Sequence, residues 1–276
     1  MKVIHFCAGL QFCNGMANTA RQFVAEELAR GDDSRLTNDP AAITGGVDVV
    51  MIHGAWSPVL WKAAKRAKAV GARLYVRPAG SYDPVRLAYH GWKKKLVSFF
   101  EHLMLRRADV VVATCQAEVE WIRGYEPRIK KVEITDLKRF FRLPQYGNPG
   151  VDCSKPVHLL YLGRKHPLKG IEYLEQAIAG LTDVELRIVS DAEGEELERV
   201  WQWCEVLVLP TLSENFGRVV AEALERGKMA ITTDGAPAWG DGNDYGGRLI
   251  YLKGYRLASP STRVRLLKEA IEKICK

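Results

Sequence analysis

Short apolar runs rich in β-branched residues alternate with amphipathic stretches of helical length along the whole chain of 276 residues. In the first half, the pattern predicts strands near 2–6, 48–52, 73–76, 109–113 and 131–135, with helices between them. In the second half it predicts strands at 157–162, 184–189, 205–209 and 229–232, and a final helix over 260–275. Such alternation is typical of parallel sheets covered by helices. The predicted fold class is therefore α/β, with two Rossmann-like domains whose parallel sheets face a cleft.

Turn-forming residues and a change in charge mark the predicted domain boundary. Prolines and glycines cluster over 143–150. Residues 1–150 carry a net charge of +9, whereas residues 151–276 carry −2. We place an N-terminal domain at 1–147 and a C-terminal domain at 148–276, with a final helix able to pack back on the first domain. The charge asymmetry suggests an anionic partner for the first half: nucleic acid, an anionic membrane surface or a phosphorylated substrate.

The sequence has neither a membrane-spanning apolar run nor a cysteine pattern typical of zinc sites or disulfides. No apolar run reaches the roughly 18 residues that a membrane span needs. The six cysteines form no C-x-x-C pair, which indicates neither a zinc site nor a disulfide framework. We expect a cytoplasmic protein, with peripheral contact to the inner face of a membrane as a further option.

A basic loop follows the strand predicted at 157–162. It runs from Gly163 through Arg164 and Lys169 to Gly170 and leads into a helix. Backbone amides at a helix start favour anions, and the two cations add charge-assisted hydrogen bonds, so the loop suits a diphosphate. It is not a P-loop, because the Gly-x-x-x-x-Gly-Lys-Ser/Thr spacing is absent. A solvated basic turn is the alternative.

A pair of glutamates surrounds the start of the helix predicted at 216–226. Glu214 lies at a loop tip after the strand 205–209, where it can accept hydrogen bonds from sugar hydroxyls. Glu222 lies in an apolar helix, where a carboxylate can accept both hydroxyls of a ribose. The alternative is a capping acid and a solvated helix charge. Against it, a carboxylate among Val219, Val220 and Ala221 needs a partner.

These segments together resemble the retaining family-four glycosyltransferases of the GT-B fold, of the group 1 type. Glu214 and Glu222 are separated by seven residues, as in the Glu-x7-Glu motif of that family, and Gly163-Arg164 with Lys169-Gly170 resembles its diphosphate loop. Further similar segments are 77–84, 108–118 and the linker 148–152. The ordered set is far more specific than any of its members.

The resemblance implies that the N-terminal domain, 1–147, binds the acceptor and that the C-terminal domain, 148–276, binds the nucleotide sugar. It also implies a role for each matching position. Glu214 and the amides of Asn215, Phe216 and Gly217 would hold the donor sugar, Glu222 the ribose, and Arg164 and Lys169 the diphosphate. Gly15 matches a glycine-rich loop whose amides approach the donor phosphates; a simple strand-to-helix turn is its alternative. His53 is a candidate catalytic residue at the end of a strand, although a lone histidine is more often a hydrogen-bonded structural residue.

The implied activity is sugar transfer from a UDP- or GDP-linked donor to a glycan or glycolipid hydroxyl, in polysaccharide or lipopolysaccharide synthesis. Retention of configuration and catalysis without a metal or other cofactor belong to that expectation. The chain departs from the family pattern in two places. Only residues 190–204 separate two strands of the second domain, so that domain is shortened. Trp239 stands near a position where many relatives place a glutamate. A non-catalytic nucleotide-sugar-binding module of the same fold is the alternative function.

The segment from Arg86 through Lys93, Lys94 and Lys95 to Arg107 mixes cations with large apolar residues. We expect it to contact anionic lipid or a phosphorylated glycolipid acceptor. The alternative is a core-facing helix with a solvated basic face. A nucleic-acid partner is not expected, because no aromatic stacking motif or helix-turn-helix signature accompanies the charge.

Overall fold

The computed structural model describes residues 1–10, 15–89, 91–145, 147 and 150–275. These residues form two compact units, Met1–Leu137 and Lys138–Lys276. The division falls before the turn-rich segment used to place the boundary at 147/148, because the residues after Leu137 pack on the second unit. The Phe141 and Phe216 rings are 6.0 Å apart, and the Arg142 amide donates to Glu225 over 2.9 Å.

The first unit is built on a parallel sheet of six strands. The strands are β1 (Lys2–Cys7), β2 (Asp33–Thr37), β3 (Val49–His53), β4 (Arg73–Arg77), β5 (Val110–Ala113) and β6 (Val132–Ile134). The helices are α1 (Gly15–Ala29), α2 (Pro58–Ala69), α3 (Pro84–Ala88), α4 (Gly91–Arg107) and α5 (Gln116–Tyr125). The strand order is β2-β1-β3-β4-β5-β6. Helix α1 packs against β1 and β2, and α2 packs against β3 and β4.

The second unit repeats this design with five parallel strands. They are β7 (Val157–Leu162), β8 (Val184–Val189), β9 (Val206–Leu209), β10 (Met229–Thr233) and β11 (Leu249–Leu252). Its helices are α6 (Ile171–Ile178), α7 (Gly194–Trp203), α8 (Arg218–Glu225) and α9 (Pro260–Ile274). The strand order is β11-β10-β9-β7-β8. The prediction of two Rossmann-like α/β units is confirmed.

Buried apolar strands form the core of each unit. In the first unit Ile4, Val50 and Leu74, from the three neighbouring strands β1, β3 and β4, have no exposed surface. In the second, Leu160 of β7 and Leu207 of β9 are equally buried and face each other in register. Strands buried on both faces have near-continuous apolar sequences, which is why these segments were recognisable from the sequence.

Helix α9 closes the second unit. Ser259 caps it by accepting the Thr262 amide over 3.3 Å, and Pro260 occupies the first turn, as the Ser259-Pro260 pair predicted. The helix packs against α6 and β11, which belong to the same unit.

The helix predicted over 89–107 is observed as α4, Gly91–Arg107, and a short helix that the sequence pattern did not predict, α3 at Pro84–Ala88, precedes it. Helix α3 ends at Ala88 and is capped at its start by Asp83, which accepts the Val85 amide over 2.9 Å. Helix α4 then begins at Gly91. In the described part of the chain, no helix combines the length and apolar character needed to cross a membrane.

Candidate active site

The strand order of the second sheet fixes where a ligand site can form. Strand β7 lies between β8 and β9, so the chain leaves β7 towards one side of the sheet and returns on the other. Ligands of open parallel sheets bind at such a switch point, beyond the carboxyl ends of the strands. The loops that follow β7 and β9 meet there, and they hold the two sequence segments assigned to the diphosphate and the sugar.

Backbone contacts join these two loops closely. The Leu168 carbonyl accepts the Leu212 amide over 2.8 Å and the Thr211 hydroxyl over 3.1 Å. Gly170 has φ of +64°, and a Cβ atom on it would lie 2.2 Å from the Pro210 carbonyl oxygen. Only glycine allows this approach and this backbone angle together. The glycine predicted from the diphosphate loop therefore fixes one loop against the other.

An ion pair lies where the loops meet. The Lys169 ammonium donates to Oε2 of Glu214, and the side chains are 12% and 23% exposed. Oε1 of Glu214 accepts the Asn215 amide over 2.9 Å. The structure thus brings together Lys169, predicted to bind the diphosphate, and Glu214, predicted to bind the sugar. Solvent reaches both side chains.

The residues after Glu214 are held by a layer of aromatic side chains. The Phe216 ring stacks on Trp239 with centroids 5.3 Å apart, and the Trp239 indole donates to the Phe216 carbonyl over 2.5 Å. Gly217 has φ of +65°, and a Cβ atom on it would lie 3.0 Å from the Leu209 side chain. The Glu214 amide donates to the Gly235 carbonyl over 2.7 Å. These contacts fix the backbone that leads into α8.

Arg164 lies in the same loop as Lys169, with an exposed side chain. The buried Tyr161 hydroxyl donates to the Arg164 carbonyl over 2.9 Å. Burial raises the pKa of Tyr161 and the Glu214 carboxylate raises it further, whereas the Arg164 guanidinium opposes both. Tyr161 therefore stays a neutral hydrogen-bond donor between the two charged residues of the candidate site.

Glu222 has the partner that its apolar surroundings required. It pairs with Arg218 one helical turn earlier, at 3.3 Å, and the side chains are 27% and 17% exposed. Burial lowers the pKa of Arg218, and the Glu222 carboxylate partly offsets that effect. The Arg218 guanidinium also lies 5.0 Å from the centroid of the Phe141 ring. The carboxylate is thus oriented by its partner and still partly accessible.

The other two predicted site residues belong to the first unit. Gly15 begins α1, and its carbonyl accepts the Thr19 hydroxyl over 2.8 Å. Cys13 and Asn14, which complete the predicted glycine-containing loop, lie outside the described residues. The switch point of this sheet is between β1 and β3. Gly15 follows β1 and His53 ends β3, so both predictions fall at the equivalent position of the first sheet.

His53 lies in the middle of a buried row of hydrogen-bonded side chains. Its Nε2 is 2.9 Å from Nδ1 of His5, and its Nδ1 is 3.3 Å from the Arg77 guanidinium. Nε2 of His5 in turn lies 2.8 Å from Glu27, which also accepts the Ser34 hydroxyl over 2.7 Å. His53 is 1% exposed and Arg77 is 3% exposed.

The direction of each hydrogen bond in this row follows from the residues at its two ends, the donor Arg77 and the acceptor Glu27. Arginine only donates, so Nδ1 of His53 accepts and its Nε2 carries the proton. That proton points at Nδ1 of His5, and the second nitrogen of His5 therefore donates to the Glu27 carboxylate. Burial lowers the pKa of His53 well below the usual range, and the charge of the neighbouring Arg77 lowers it further. His53 is consequently neutral, with both ring nitrogens engaged.

Several residues of these two sites were not singled out in the sequence. His5 and Arg77 are polar residues within buried strands, and Glu27 lies on the buried side of α1. A buried polar side chain requires partners. A polar residue inside an otherwise apolar strand was therefore the sequence signal that could have identified them. Trp239 was noted only for standing near a family glutamate position. Its packing on Phe216 could not be predicted from the spacing of residues along the sequence.

Family models match both halves of the chain. Residues 40–135 match the model of the glycosyl transferase 4-like domain, and residues 155–273 match that of the glycosyl transferases group 1. Together the two segments span most of the chain. One curated relative, an uncharacterised 41.2 kDa protein in the cps region of Klebsiella pneumoniae, is 22% identical over 221 residues. The match covers 68% of this chain and 60% of that relative, so the chain spans less than two thirds of its length.

Solved structures show the same fold at low identity. Sucrose-phosphate synthase from Thermosynechococcus elongatus has a TM-score of 0.67 at 14% identity, covering 100% of this chain and 95% of its own. HepE from Anabaena, in complex with UDP, has a TM-score of 0.63 at 13% identity, with coverage of 99% and 90%. The lipopolysaccharide outer core galactosyltransferase WaaB, in its apo form, has a TM-score of 0.59 at 15% identity, with coverage of 100% and 92%.

The two sheets and these likenesses confirm the GT-B fold, with a glycosyl transferase 4-like domain matched at residues 40–135 and a glycosyl transferases group 1 domain at residues 155–273.

Proposed function

We propose that this transferase moves a sugar from a nucleotide-diphosphate sugar, bound on the second unit, to a hydroxyl of a glycan or glycolipid acceptor bound on the first. The observation that supports this most strongly is the Lys169–Glu214 pair at the switch point of the second sheet. A cation and a carboxylate held side by side match the two ends of such a donor, a dianionic diphosphate and a ring of hydroxyls.

Donor binding would replace the ion pair by two better-matched contacts. The diphosphate takes the Lys169 ammonium and the exposed Arg164 guanidinium, and the sugar hydroxyls donate to the Glu214 carboxylate. The backbone of Asn215, Phe216 and Gly217 borders the sugar. Because the loops are already fixed by Gly170 and by the Leu168 carbonyl, the site needs little rearrangement to accept its ligand.

The ribose would bind further along α8. Glu222 is partly exposed and is held in one orientation by Arg218. A fixed carboxylate can accept both ribose hydroxyls, as in dinucleotide sites. Between β8 and β9 the described chain contains one helix, α7, where the family resemblance implies an additional strand and helix. We therefore propose a shortened second domain that contacts the base less extensively, and a UDP-linked or GDP-linked donor.

Departure of the diphosphate builds negative charge, which Lys169 and Arg164 would stabilise in the transition state. Fixed cations of this kind support transfer that needs no metal ion or other cofactor, and full activity after treatment with a chelator would agree with it. We also propose retention of the anomeric configuration by front-face substitution. An NMR spectrum of the first product formed distinguishes retention from inversion.

The printed names of the relatives suggest the setting. WaaB is a lipopolysaccharide outer core galactosyltransferase, HepE was solved with UDP, and the Klebsiella relative comes from a cps region. We propose a role in cell-surface polysaccharide or lipopolysaccharide synthesis, on the cytoplasmic side of the membrane. No nucleic-acid partner is proposed.

A panel of UDP-, GDP- and ADP-sugars tests the proposal in two steps. Thermal stabilisation first identifies the donor, and release of the nucleoside diphosphate with a glycan or lipid-linked acceptor then measures transfer. Glu214→Gln should lower transfer about 100-fold, whereas Glu196→Gln, an exposed glutamate on α7, should leave it unchanged. Stabilisation without transfer or donor hydrolysis would establish the non-catalytic binding module instead. Neither stabilisation nor transfer with any donor would refute the proposal.

A further inference from the structure

Helix α4 has one face that the first unit leaves uncovered. Trp92, Leu96 and Phe99 are 64%, 73% and 68% exposed, and half-buried Leu103 continues the same line. Spacings of four, three and four residues place these side chains on one stripe of the helix. Large apolar residues scattered singly on a surface are ordinary, but a continuous stripe of them indicates a binding surface.

The opposite face of α4 is the one that packs into the unit. Glu101, Met104 and Leu105 are buried there. Glu101 accepts the Tyr82 hydroxyl over 2.5 Å and the Trp61 indole over 2.7 Å. These contacts fix the rotation of the helix about its axis, so the outward orientation of the stripe follows from the packing of the opposite face.

Cations border the apolar stripe on both sides. On an ideal helix, Lys95 falls on one side of the stripe, and Lys93 and Arg107 fall on the other. Arg106, on the same side as Lys95, is paired with Glu126 at 2.7 Å and is not counted among the flanking cations. Residues 84–108 contain six lysines and arginines and a single acid, the buried Glu101. Lys93, Lys95 and Arg107 are exposed, so the surface beside the stripe is positively charged even though Glu126 pairs with Arg106.

We propose that the stripe Trp92–Leu96–Phe99–Leu103 and its flanking cations bind the surface of an anionic lipid bilayer. The helix would lie in the interface plane, with its aromatic and aliphatic side chains among the acyl chains and its lysines and arginines at the lipid phosphates. Long basic side chains suit this position because their stems are apolar and their charges remain in water. A second copy of the chain is a poor occupant, since a two-fold contact would bring the same cations face to face.

The proposed surface does not involve the residues of the donor site, so it can be tested separately. The full chain is sedimented with vesicles of phosphatidylcholine alone and of phosphatidylcholine with phosphatidylglycerol. We expect binding to the anionic vesicles, weakening with added salt, and little binding to the neutral ones. Absence of binding to anionic vesicles at low salt would overturn the proposal.

Two double variants divide the surface into its components. Leu96→Ser with Phe99→Ser should lower the partition coefficient about tenfold or more through lost apolar burial. Lys93→Glu with Lys95→Glu should lower it about 30-fold or more. Lys94 is left in place, because its ammonium donates to the Arg86 and Tyr89 carbonyls. All the changed side chains are exposed, so the thermal midpoint should stay close to that of the wild type.

Matched controls carry the same changes elsewhere. Leu28→Ser with Leu257→Ser removes two exposed leucines, and Lys62→Glu with Lys65→Glu reverses two exposed cations on α2. Both controls should partition within about twofold of the wild type. A loss as large as in the α4 variants would overturn the assignment. A dimer that the variant Leu96→Ser with Phe99→Ser abolishes would also overturn it. So would oligonucleotide binding that the α4 variants weaken, if the same variants leave vesicle binding unchanged.

Discussion

The two sheets place polar residues at the same topological position but bury them to different degrees. At the switch point of the second sheet, Lys169 and Glu214 are 12% and 23% exposed and pair with each other. At the switch point of the first, His53 is 1% exposed and is hydrogen-bonded to Arg77 of the next strand, which is 3% exposed. Equivalent positions in similar folds can therefore have different physical roles.

The difference lies in what a ligand could replace. A partly exposed ion pair exchanges its contacts for those of a ligand at little net cost, because the pair itself contributes little in solvent. In the buried row every nitrogen of His53 already has a partner, and removing one leaves a buried polar group unsatisfied, which costs about 1–3 kcal/mol. We expect the second site to bind ligand and the first to stabilise its unit.

The largest effect is expected for Lys169→Met. Loss of the ammonium removes a fixed charge from the departing diphosphate, so kcat/KM should fall about 100- to 1,000-fold. Steady-state kinetics with the donor found by the panel measures this. The thermal midpoint should change little, because one partly exposed ion pair contributes at most about 1 kcal/mol.

Lys165→Met provides the matched control in the same loop. Its side chain is exposed and does not pair with Glu214 in the described structure. Its kcat/KM should stay within about threefold of the wild type. Equal losses in both variants would mean that the loop acts through its overall charge and not through Lys169.

The next largest effect is expected for Gly170→Ala. A Cβ atom would lie 2.2 Å from the Pro210 carbonyl oxygen, and φ is +64°. Strain and overpacking together should lower the free energy of unfolding by about 2–4 kcal/mol, which urea denaturation of the chain would show. Gly180→Ala is the control, because it has φ of +84° and no atom within 4 Å of the added Cβ. Its cost should be limited to the backbone strain of about 1–2 kcal/mol.

Glu222→Gln should have a moderate and selective effect. The ribose contact is distant from the bond that breaks, so KM for the donor should rise about tenfold with kcat nearly unchanged. A fall in kcat without a change in KM would place Glu222 in the reaction itself. Glu225→Gln, one helical turn away, is the control for charge on α8.

The smallest effect concerns the first site and depends on pH. The pKa of His53 is well below the usual range in the folded chain, so the unfolded chain takes up a proton near pH 6.5 that the folded chain does not. Stability should therefore be lost as the pH falls, by roughly 1 kcal/mol between pH 7 and about pH 5.8. The pKa of Glu27 is lowered, so its contribution is lost only below the ordinary value of 4.5.

Denaturant unfolding of His53→Asn over the same pH range isolates this contribution. The variant should be less stable at every pH, because Arg77 and His5 lose their partner. Its stability should nevertheless fall less between pH 7 and pH 5.8 than that of the wild type. Identical slopes for the two proteins would mean that His53 is not the neutral buried group described above.

Much of the fold could be predicted because its central strands are apolar throughout. The bounds of β7, a central strand, match the prediction residue for residue. Strands β2 and β11 were missed, and each lies at the edge of its sheet. An edge strand has one neighbour and less burial, so the polar sequence of β2 contains no strong signal.

Individual residues show where sequence reasoning about the sites ended. The apolar neighbours of Glu222 predicted a partner, although they did not identify Arg218. The spacing of Glu214 from Lys169 along the chain could not show that the two meet, because that depends on β7 and β9 being neighbours. In α4 apolar residues lie on two opposite faces, so periodicity could not tell that Glu101 faces inward and Leu96 outward.

Hydrogen–deuterium exchange of the full chain with and without UDP tests the central claim most directly. We predict slower exchange in residues 163–170 and 210–217 when UDP is present, and loss of that protection in Lys169→Met but not in Lys165→Met. UDP binding that leaves both segments unprotected would contradict the assignment of the donor site to the switch point of the second sheet.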